Sequence, residues 1–297
     1  MLAKAAPNCA VILALLVCAT PVRAWFGEGH EVVAIIGADG LACAARFHVA
    51  QILGVPNNKR SVEKAMAEAS TRPDTEFSKE DRSTAPWHYI NLCLQDNKQD
   101  LAARCTNGNC ITAKIDEYSR RLREQSYDRW GAAGDLAFLI HFLGDIHQPL
   151  HAATNADRGG TCQRVIVEPP EDNLHFVWDD AVVVMLEKKL ATKGPEATAR
   201  RLEKLYRHLH PAWNPGASER VALETNKLAK TDVYRALGIP DRPCTPDECS
   251  PATSTPVTLS APYMKHGQRV AGRQLAKAGL RLAAVLNEIW PPASAGQ

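Results

Sequence analysis

Three features that mark common protein classes are missing from this sequence of 297 residues. It has no run of about 18 apolar residues, which argues against a membrane-spanning helix. It has no cysteine pair at the C-x-x-C spacing, which argues against an all-cysteine zinc site. It also has no N-x-S/T acceptor for glycosylation. The composition is otherwise that of a globular protein, with 45% hydrophobic and 23% charged residues.

The chain also has little net charge. Lysine and arginine number 35 against 33 aspartate and glutamate residues, a formal charge of +2. Two of the basic residues, Lys4 and Arg23, lie in an N-terminal segment that we expect to be removed. A nearly neutral chain argues against a protein that holds nucleic acid mainly through a basic surface. A polyanionic substrate held by bound metal ions remains compatible with this charge.

The first 24 residues have the pattern of a secretory signal. Lys4 supplies the positive charge, Ala10 to Ala19 form a short apolar core, and Val22-Arg23-Ala24 is a cleavage site of the A-x-A type. The sequence therefore predicts a signal peptide over residues 1–24, a mature chain over residues 25–297, and a secreted or periplasmic location.

The cysteines are consistent with that location, because exported proteins can form disulfides. Two pairs, each separated by four residues, lie in stretches rich in turn-forming residues, so Cys105–Cys110 and Cys244–Cys249 could form local bridges. The connectivity cannot be deduced from spacing alone, and the number outside the signal is odd. Those seven residues are Cys43, Cys93, Cys105, Cys110, Cys162, Cys244 and Cys249.

Apolar residues recur with helical periodicity along most of the chain. A single short strand is predicted over Gln163 to Val167, and exposed loops over Leu94 to Asn109 and Ile239 to Pro262. No internal repeat or domain boundary is evident, so we expect an all-α fold, a single compact helical domain with at most a small β-hairpin. The predicted helices comprise a first long helix from Val32 to Ala45, Ile111 to Leu122, Leu136 to Leu143, Ala181 to Leu190, Ala199 to Leu209 and Val270 to Trp290.

Two His-x3-Asp pairs are the strongest chemical signal. His141 and Asp145 are four residues apart, as are His175 and Asp179. Residues at that spacing share one face of a helix. Imidazole and carboxylate together suit zinc or another divalent first-row metal ion. One such pair is common in helices without a metal, but two near further histidines are difficult to explain as packing alone.

Further candidate ligands lie outside the two pairs. His151 follows Pro149 after the first pair, and His88 lies upstream in Trp87-His88-Tyr89. Trp25 would be the first residue of the mature chain, with His30 five positions later. A freed α-amino group is a neutral nitrogen donor once it is deprotonated, so this new N-terminus could supply ligands as well.

With these residues the chain resembles the zinc-dependent S1/P1 nucleases and, more distantly, the bacterial zinc phospholipases C. The resemblance runs from Trp25 through Asn287 and predicts a catalytic domain of this type over residues 25–297. Its motifs are W-x4-H at Trp25, S-T-x-x-D at Ser70 to Asp74, A-P-W-H-Y-I-N at Ala85 to Asn91, H-F-x-G-D-x-H-Q-P-L-H at His141 to His151, G-G at Gly159, N-L-H-x-x-W-D at Asn173 to Asp179 and A-G-x-R-L-A-x-x-L-N at Ala278 to Asn287.

The resemblance implies three zinc ions. Asp145 would be shared between two of them, and His147 would be a structural neighbour. The implied ligand sets are Asp74, His88, His141 and Asp145 for one ion; His151, His175 and Asp179 for a second; and the α-amino and carbonyl groups of Trp25, with His30 and Asp145, for the third.

The same resemblance implies the remaining roles. Two close metal ions can activate water near neutral pH and stabilise charge in phosphodiester hydrolysis. Asp145 would hold this catalytic centre together, and Asn91 would orient the water or the substrate. Tyr89 occupies the place of an aromatic residue that stacks on a base, and such stacking favours unpaired strands because a duplex does not release a base cheaply. Packing in the core is the alternative for Tyr89.

The sequence departs from the family pattern at three places. Arg72-Pro73 stands before Asp74 where W-A is usual, and Phe77 stands where a basic residue is common. Thr161 follows the glycine pair in place of asparagine. Asp74 is therefore the least secure of the ligands, and a phosphate contact could be missing or supplied by Arg72, Lys79 or Arg82.

The resulting prediction is a secreted zinc-dependent endonuclease. It would cut single-stranded DNA and RNA to 5′-phosphorylated products, could also remove 3′-phosphates from nucleotides, and needs neither a membrane nor a stable protein partner. A zinc phospholipase C acting on phospholipid head groups is one alternative, although Asp179 stands where that family typically has glutamate. A non-catalytic exported zinc-binding protein is the other, and the loss of a basic residue at position 77 keeps it open.

Overall fold

A computed structural model describes Trp25 and residues 27–167, 171–244 and 249–292. The predicted signal peptide, residues 1–24, lies outside the described residues. Nine helices of nine residues or more form most of this part of the chain. They are α1 (Gly27–Asp39), α2 (Cys43–Leu53), α3 (Lys59–Ser70), α4 (Ile111–Glu124), α5 (Gly131–Asp145), α6 (Val182–Leu190), α7 (Gly194–Tyr206), α8 (Ala217–Leu228) and α9 (Ala261–Ile289).

Helix α5 lies at the centre of the fold. Every residue from Gly134 to Asp145 is buried, as expected for a helix whose apolar residues occur on all sides. It packs against α1, α3, α4 and α9. The predicted segment from Leu136 to Leu143 is therefore confirmed, and the polar side chains of α5, Asp135, His141 and Asp145, are buried with the apolar ones.

Helix α9 is the longest element, and it closes the fold against α1, α5 and α6. It begins earlier than Val270, because the Ser260 side chain accepts a hydrogen bond from the Tyr263 N–H and caps the helix. Gly279 allows the close approach of α1, since a Cβ atom there would lie 2.4 Å from the Cβ of Ile36. Within the described ranges, no helix, α9 included, combines the length and the apolar character needed to cross a membrane.

Three short strands form a small sheet in the order β2-β1-β3. Strand β1 (Arg164–Ile166) pairs antiparallel with β2 (Glu171–Asn173), with Arg164 opposite Asn173. Strand β3 (Val257–Thr258) pairs parallel with β1, with Val165 opposite Val257. The predicted strand at 163–167 is thus confirmed, and the hairpin gains one short strand from the predicted loop at 239–262.

Two further helix predictions differ from the structure. The first long helix is in fact two helices, because the chain breaks at Gly40 and Leu41 between α1 and α2. The Asn287 side chain holds this break: its Oδ1 accepts from the Ala42 N–H at 2.8 Å and its Nδ2 donates to the Gly40 carbonyl at 3.0 Å. The helix predicted over 199–209 is α7, which begins at Gly194 and ends at Tyr206.

The disulfides confirm one local bridge and contradict the other. Cys105 pairs with Cys110, as predicted. Cys244 does not pair with Cys249; Cys244 pairs with Cys93 and Cys249 with Cys162, at sequence separations of 151 and 87 residues. Cys43, exposed on α2, accounts for the odd number. Tertiary packing, not sequence proximity, therefore selects the partners of the second pair.

Candidate metal centre

The carboxylate of Asp145 meets three imidazoles. Its Oδ1 lies 3.2 Å from Nε2 of His30, while its Oδ2 lies 2.9 Å from Nδ1 of His88 and 3.2 Å from Nε2 of His141. Helix α1 supplies His30, α5 supplies His141 and Asp145, and the turn Arg82–His88 supplies His88. All four side chains are buried, so one carboxylate joins groups from three separate elements.

Asp74, the least secure ligand of the sequence analysis, belongs to the same cluster. It lies in the π-helical turn Pro73–Phe77 that follows α3. Its Oδ1 is 3.5 Å from Nε2 of His141 and 3.6 Å from Nδ1 of His88. Burial raises the pKa of this carboxyl, but the neighbouring His141 and His88 outweigh that effect and lower it overall. The unusual Arg72-Pro73 sequence before it has not moved the carboxylate away.

A second cluster forms beside the first. His151 lies in the turn Pro149–Ala152, and His175 and Asp179 lie one helical turn apart at the N-terminal side of α6. Nε2 of His151 is 3.1 Å from Nε2 of His175, and Oδ2 of Asp179 is 3.3 Å from that same His175 nitrogen. The three side chains are buried, and all were predicted as one ligand set.

Backbone carbonyls orient three of these rings through Nδ1. His141 donates to the Ser70 carbonyl at 2.7 Å, His151 to the His88 carbonyl at 2.7 Å, and His175 to the Gly159 carbonyl at 2.6 Å. Because a carbonyl can only accept, the proton of each neutral ring is on Nδ1 and the lone pair is on Nε2. Such contacts are typical of metal-binding histidines, since they fix both the tautomer and the direction of the ring.

The donor atoms fit a bound cation. Among the described residues, donor atoms within 4.8 Å of one another form three groups, namely His30 with Asp74 and His141; His88 with His141 and Asp145; and His151 with His175 and Asp179. The facing Nε2 atoms of His151 and His175 would repel each other with nothing positive between them. Neutral nitrogen and carboxylate oxygen donors are those that zinc prefers.

The protonation states support the same use. Burial lowers the pKa of His30, His151 and His175, in the last case to about 3, so these rings are neutral at neutral pH. Burial would raise the pKa of Asp145, but its interactions with His141, His30 and His88 hold it well below its usual range. Burial also lowers the pKa of His141, but the carboxylates of Asp145 and Asp74 outweigh it and raise that pKa well above its usual range, while burial raises the pKa of Asp179 well above its usual range. Without a metal ion the ionised Asp145 therefore pairs with a protonated His141, and metal binding would release that proton.

Trp25, the predicted mature N-terminus, is anchored at this centre. Its indole is fully buried, and Nε1 donates to the Gly144 carbonyl at 3.0 Å. Its backbone N–H donates to the carboxylate of Asp179. His30, five residues on, stacks on His141 with ring centroids 3.9 Å apart. The segment that begins at Trp25 therefore lies against both clusters.

His147 is separate from the two clusters and has the contacts of a structural residue. Its Nδ1 donates to the Leu143 carbonyl at 2.7 Å, and its Nε2 accepts from the Arg281 guanidinium at 2.9 Å. Burial and the charge of Arg281 lower the pKa of His147 to about 3. With both ring nitrogens already bonded, this residue has no donor left for a metal ion.

Tyr89 and Asn91 line a cavity of about 340 Å³ beside the turn that carries His88. Both side chains are half-buried, so the packing alternative for Tyr89 does not hold in full. The backbone fixes the segment on two sides: Ile90 N–H donates to the His151 carbonyl, and Ile111 N–H to the Tyr89 carbonyl. Its other lining residues include Ile90, Arg104 and Asn109, so the cavity lies along the chain segment that follows His88.

Phe77 does not lie at the site. It is buried against Trp130 and Phe138, with ring centroids 5.3 and 5.0 Å away. Arg72, one proposed substitute for the missing basic residue, lies over the Phe77 ring at 4.8 Å and pairs with Glu76. The side chain at position 77 therefore packs in the hydrophobic core of this protein.

Two residues that bear on the site carried no charge or ligand signal in the sequence. Gly144 has room only for hydrogen, because a Cβ atom there would lie 2.7 Å from Nδ1 of His30. Gln148, which is fully buried, donates from Nε2 to Oδ1 of Asp179 at 2.6 Å. In the sequence, only their position inside the motif from His141 to His151 indicates that Gly144 and Gln148 lie near the site.

Comparisons with known proteins point to one family. The family model described as S1/P1 nuclease matches residues 25–291. Endonuclease 2 of Arabidopsis thaliana is 27% identical over 285 residues, covering 93% of this chain and 94% of the relative. Nuclease S1 of Aspergillus oryzae is 28% identical over 278 residues, covering 89% and 91%. Nuclease P1 of Penicillium citrinum is 28% identical over 183 residues, covering 60% and 65%.

Proposed function

Because the chain belongs to the S1/P1 nuclease family and is therefore a nuclease, a hydrolase of nucleic acids, we propose that it is a secreted zinc-dependent endonuclease. In this proposal it hydrolyses phosphodiester bonds of single-stranded DNA and RNA to 5′-phosphorylated products and also acts as a 3′-nucleotidase. The observation that carries the proposal is the Asp145 carboxylate, which contacts His30, His88 and His141 at once.

The proposal assigns nine protein residues to three zinc ions. Asp145 is the shared carboxylate, since its two oxygens point at different histidines. Two of the donor groups among the described residues share His141, so the third ion depends on the α-amino and carbonyl groups of Trp25, which the family resemblance implies. The ligands are Trp25, His30, Asp74, His88, His141, Asp145, His151, His175 and Asp179.

Zinc ions supply, when bound, an activated water and positive charge close to the phosphate. The chain provides the frame for this chemistry. Asp145 holds the centres together, and the carbonyls of Ser70, His88 and Gly159 keep the imidazoles aimed. Ion charge also explains how a chain of formal charge +2 can hold a polyanion without a basic surface.

Tyr89 and Asn91 give the proposed substrate contacts. A half-buried tyrosine at the wall of a cavity can stack on a base of any identity, and such stacking contributes about 1–3 kcal/mol per base. Asn91, in the same cavity, can orient the base or the attacking water through its amide. Stacking requires an unpaired base, which supports a preference for single strands.

Export is the remaining part of the proposal. Residues 1–24 act as the signal, and residues 25–297 form the catalytic domain. Three disulfides, Cys93–Cys244, Cys105–Cys110 and Cys162–Cys249, fit an oxidising compartment. Cleavage after Ala24 would free the amino group of Trp25 beside Asp179.

The direct test gives zinc-loaded protein four substrates: a single-stranded DNA oligonucleotide, the same strand in a duplex, a single-stranded RNA and a 3′-mononucleotide. Cleavage of the single strands to 5′-phosphorylated ends, at least tenfold faster than the duplex, is the expected result. Phosphatidylcholine vesicles serve as the competing substrate. Release of the lipid head group without strand cleavage would replace this proposal by a phospholipase C, and zinc binding without any hydrolysis would leave only a metal-binding protein.

The stacking role of Tyr89 has its own test. Tyr89→Ala should raise KM for single strands by about tenfold or more, from the loss of one stacking contact, while the zinc content stays unchanged. Tyr127→Ala removes an exposed tyrosine, 39% accessible, and is the matched control. Equal KM values for the two variants would remove Tyr89 from the substrate site.

A further inference from the structure

Gln148 is a neutral side chain enclosed among the candidate ligands. It is fully buried, and its Nε2 donates to Oδ1 of Asp179 at 2.6 Å. The other carboxylate oxygen of Asp179 lies 3.3 Å from Nε2 of His175. The amide therefore occupies one oxygen of this carboxylate and leaves the other turned towards the histidine.

The same residue also fixes the turn that carries His151. Its Oε1 accepts a hydrogen bond from the Leu150 N–H, which caps the turn Pro149–Ala152. Its backbone carbonyl accepts from the His151 N–H at 3.0 Å, and its backbone N–H donates to the Asp145 carbonyl at 2.9 Å. One residue thus links the shared carboxylate residue, the histidine turn and Asp179.

Only a primary amide of this length meets both demands of the side chain. It must donate to the carboxylate of Asp179 and accept from the Leu150 N–H at the same time. A glutamate at position 148 would keep the acceptor but replace the donor by a second negative oxygen. A methionine would fill the same space and make neither hydrogen bond.

We propose that Gln148 is a positioning residue for the group formed by His151, His175 and Asp179. It sets the affinity of this one group for its metal ion by aiming the carboxylate and holding the histidine turn, and it does not touch the substrate. The inference rests on the proposed function, because it assumes that this group holds a metal ion. Residues of this kind around metal sites typically change metal affinity by about 10–100-fold when they are replaced.

The test compares Gln148→Glu and Gln148→Met with the wild-type chain. Zinc per chain is measured by elemental analysis after dialysis against a series of chelator-buffered zinc concentrations. Cobalt loading, followed by visible absorption, reports the geometry of each group independently of activity. Gln51→Glu makes the same chemical change at an exposed position of α2 and is the matched control.

The expected result is that both variants keep the wild-type far-UV circular dichroism and lose affinity for one ion by about 10–100-fold. The other two ions should bind as in the wild type, and KM at saturating zinc should stay unchanged. Unchanged affinity for every ion would overturn the proposal. Unfolding of both variants in the presence of zinc would also overturn it, because the role of Gln148 would then be to stabilise the fold and not to position the metal ligands. A wild-type chain that binds no zinc would instead refute the proposed function, so the two failures are distinguishable.

Discussion

The Nε2 atoms of His151 and His175 face each other at 3.1 Å. Each ring already donates its Nδ1 proton to a backbone carbonyl, so two lone pairs meet at this distance. The arrangement becomes favourable only when positive charge lies between the rings. The folded chain therefore holds His151 and His175 in an arrangement that a bound cation would stabilise.

Metal removal should accordingly destabilise the protein. A ligand present at about 1,000 times its dissociation constant stabilises the native state by about 4 kcal/mol per site, which corresponds to about 8 °C or more in Tm for a chain of this size. Differential scanning calorimetry with and without a zinc chelator measures the shift. Magnesium, which prefers oxygen ligands, is the control and should not restore Tm. Identical Tm values with and without chelator would contradict the metal assignment.

Replacing the shared carboxylate should abolish activity. In Asp145→Asn, an amide lacks the charge needed to hold two cations beside His30 and His88, so strand cleavage should fall below a tenth of the wild-type rate. Circular dichroism should show a mostly folded protein. Asp172→Asn, on the half-buried strand β2, is the control for the chemical change. A variant that retains more than a tenth of the activity would show that Asp145 is not shared.

Processing should control the ion that depends on Trp25. In the precursor its nitrogen is an amide, whose lone pair is delocalised into the carbonyl and is a poor donor for zinc. A chain with one extra methionine before Trp25 should hold that zinc weakly and cleave slowly compared with a chain that begins at Trp25. The control carries the same extra residue after Gln297. Three tightly held ions and full activity in the extended form would refute the N-terminal ligand.

Stability should fall with rising pH because of Asp135. Burial, followed by the neighbouring Asp128 carboxyl, raises the pKa of Asp135 to about 8, well above the value of about 3.9 expected for an unfolded chain. The stabilisation from its proton is complete below pH of about 4 and is lost progressively as the pH rises to about 8.

Asp135→Asn removes this titration while keeping a side chain that can donate to Asp128. It should raise the free energy of unfolding at pH 8 by about 2 kcal/mol or more, since each pKa unit is worth about 1.4 kcal/mol. Urea unfolding from pH 5 to 9 measures it, with the half-buried Asp100→Asn as the control. Parallel pH curves for wild type and Asp135→Asn would remove the carboxyl pair as the cause.

The histidine–carboxylate pairs were accessible from the sequence for a simple reason. Helical spacing alone puts His141 on the same face as Asp145, and His175 on the same face as Asp179. The structure then shows what spacing cannot, namely that Asp74 reaches His141 from another element at 3.5 Å. That contact depends on how α3 packs on α5, which is a tertiary property.

The features that the sequence did not predict, namely the helix break, the second disulfide pairing and the role of Gln148, share a physical cause: each depends on contacts between distant parts of the chain. The break between α1 and α2 is stabilised by Asn287, which lies 245 residues from its partner Ala42. The apolar periodicity continues through the break, so the local sequence does not indicate it. Cys244 and Cys249 sit in a loop without periodicity, where only the surrounding packing determines the partner. Gln148 carries no charge, and its importance appears only once Asp179 is seen beside it.

The long-range disulfides have a consequence for the order of events during export. A chain that crosses a membrane N-terminus first delivers Cys43, Cys93, Cys105, Cys110 and Cys162 well before Cys244 and Cys249, the native partners of Cys93 and Cys162. The early thiols can meet only one another in that interval, and each wrong bridge must be undone by thiol–disulfide exchange. For a chain exported as proposed, we therefore expect the yield of active protein to depend on the supply of disulfide isomerase in the receiving compartment as well as on the rate of synthesis.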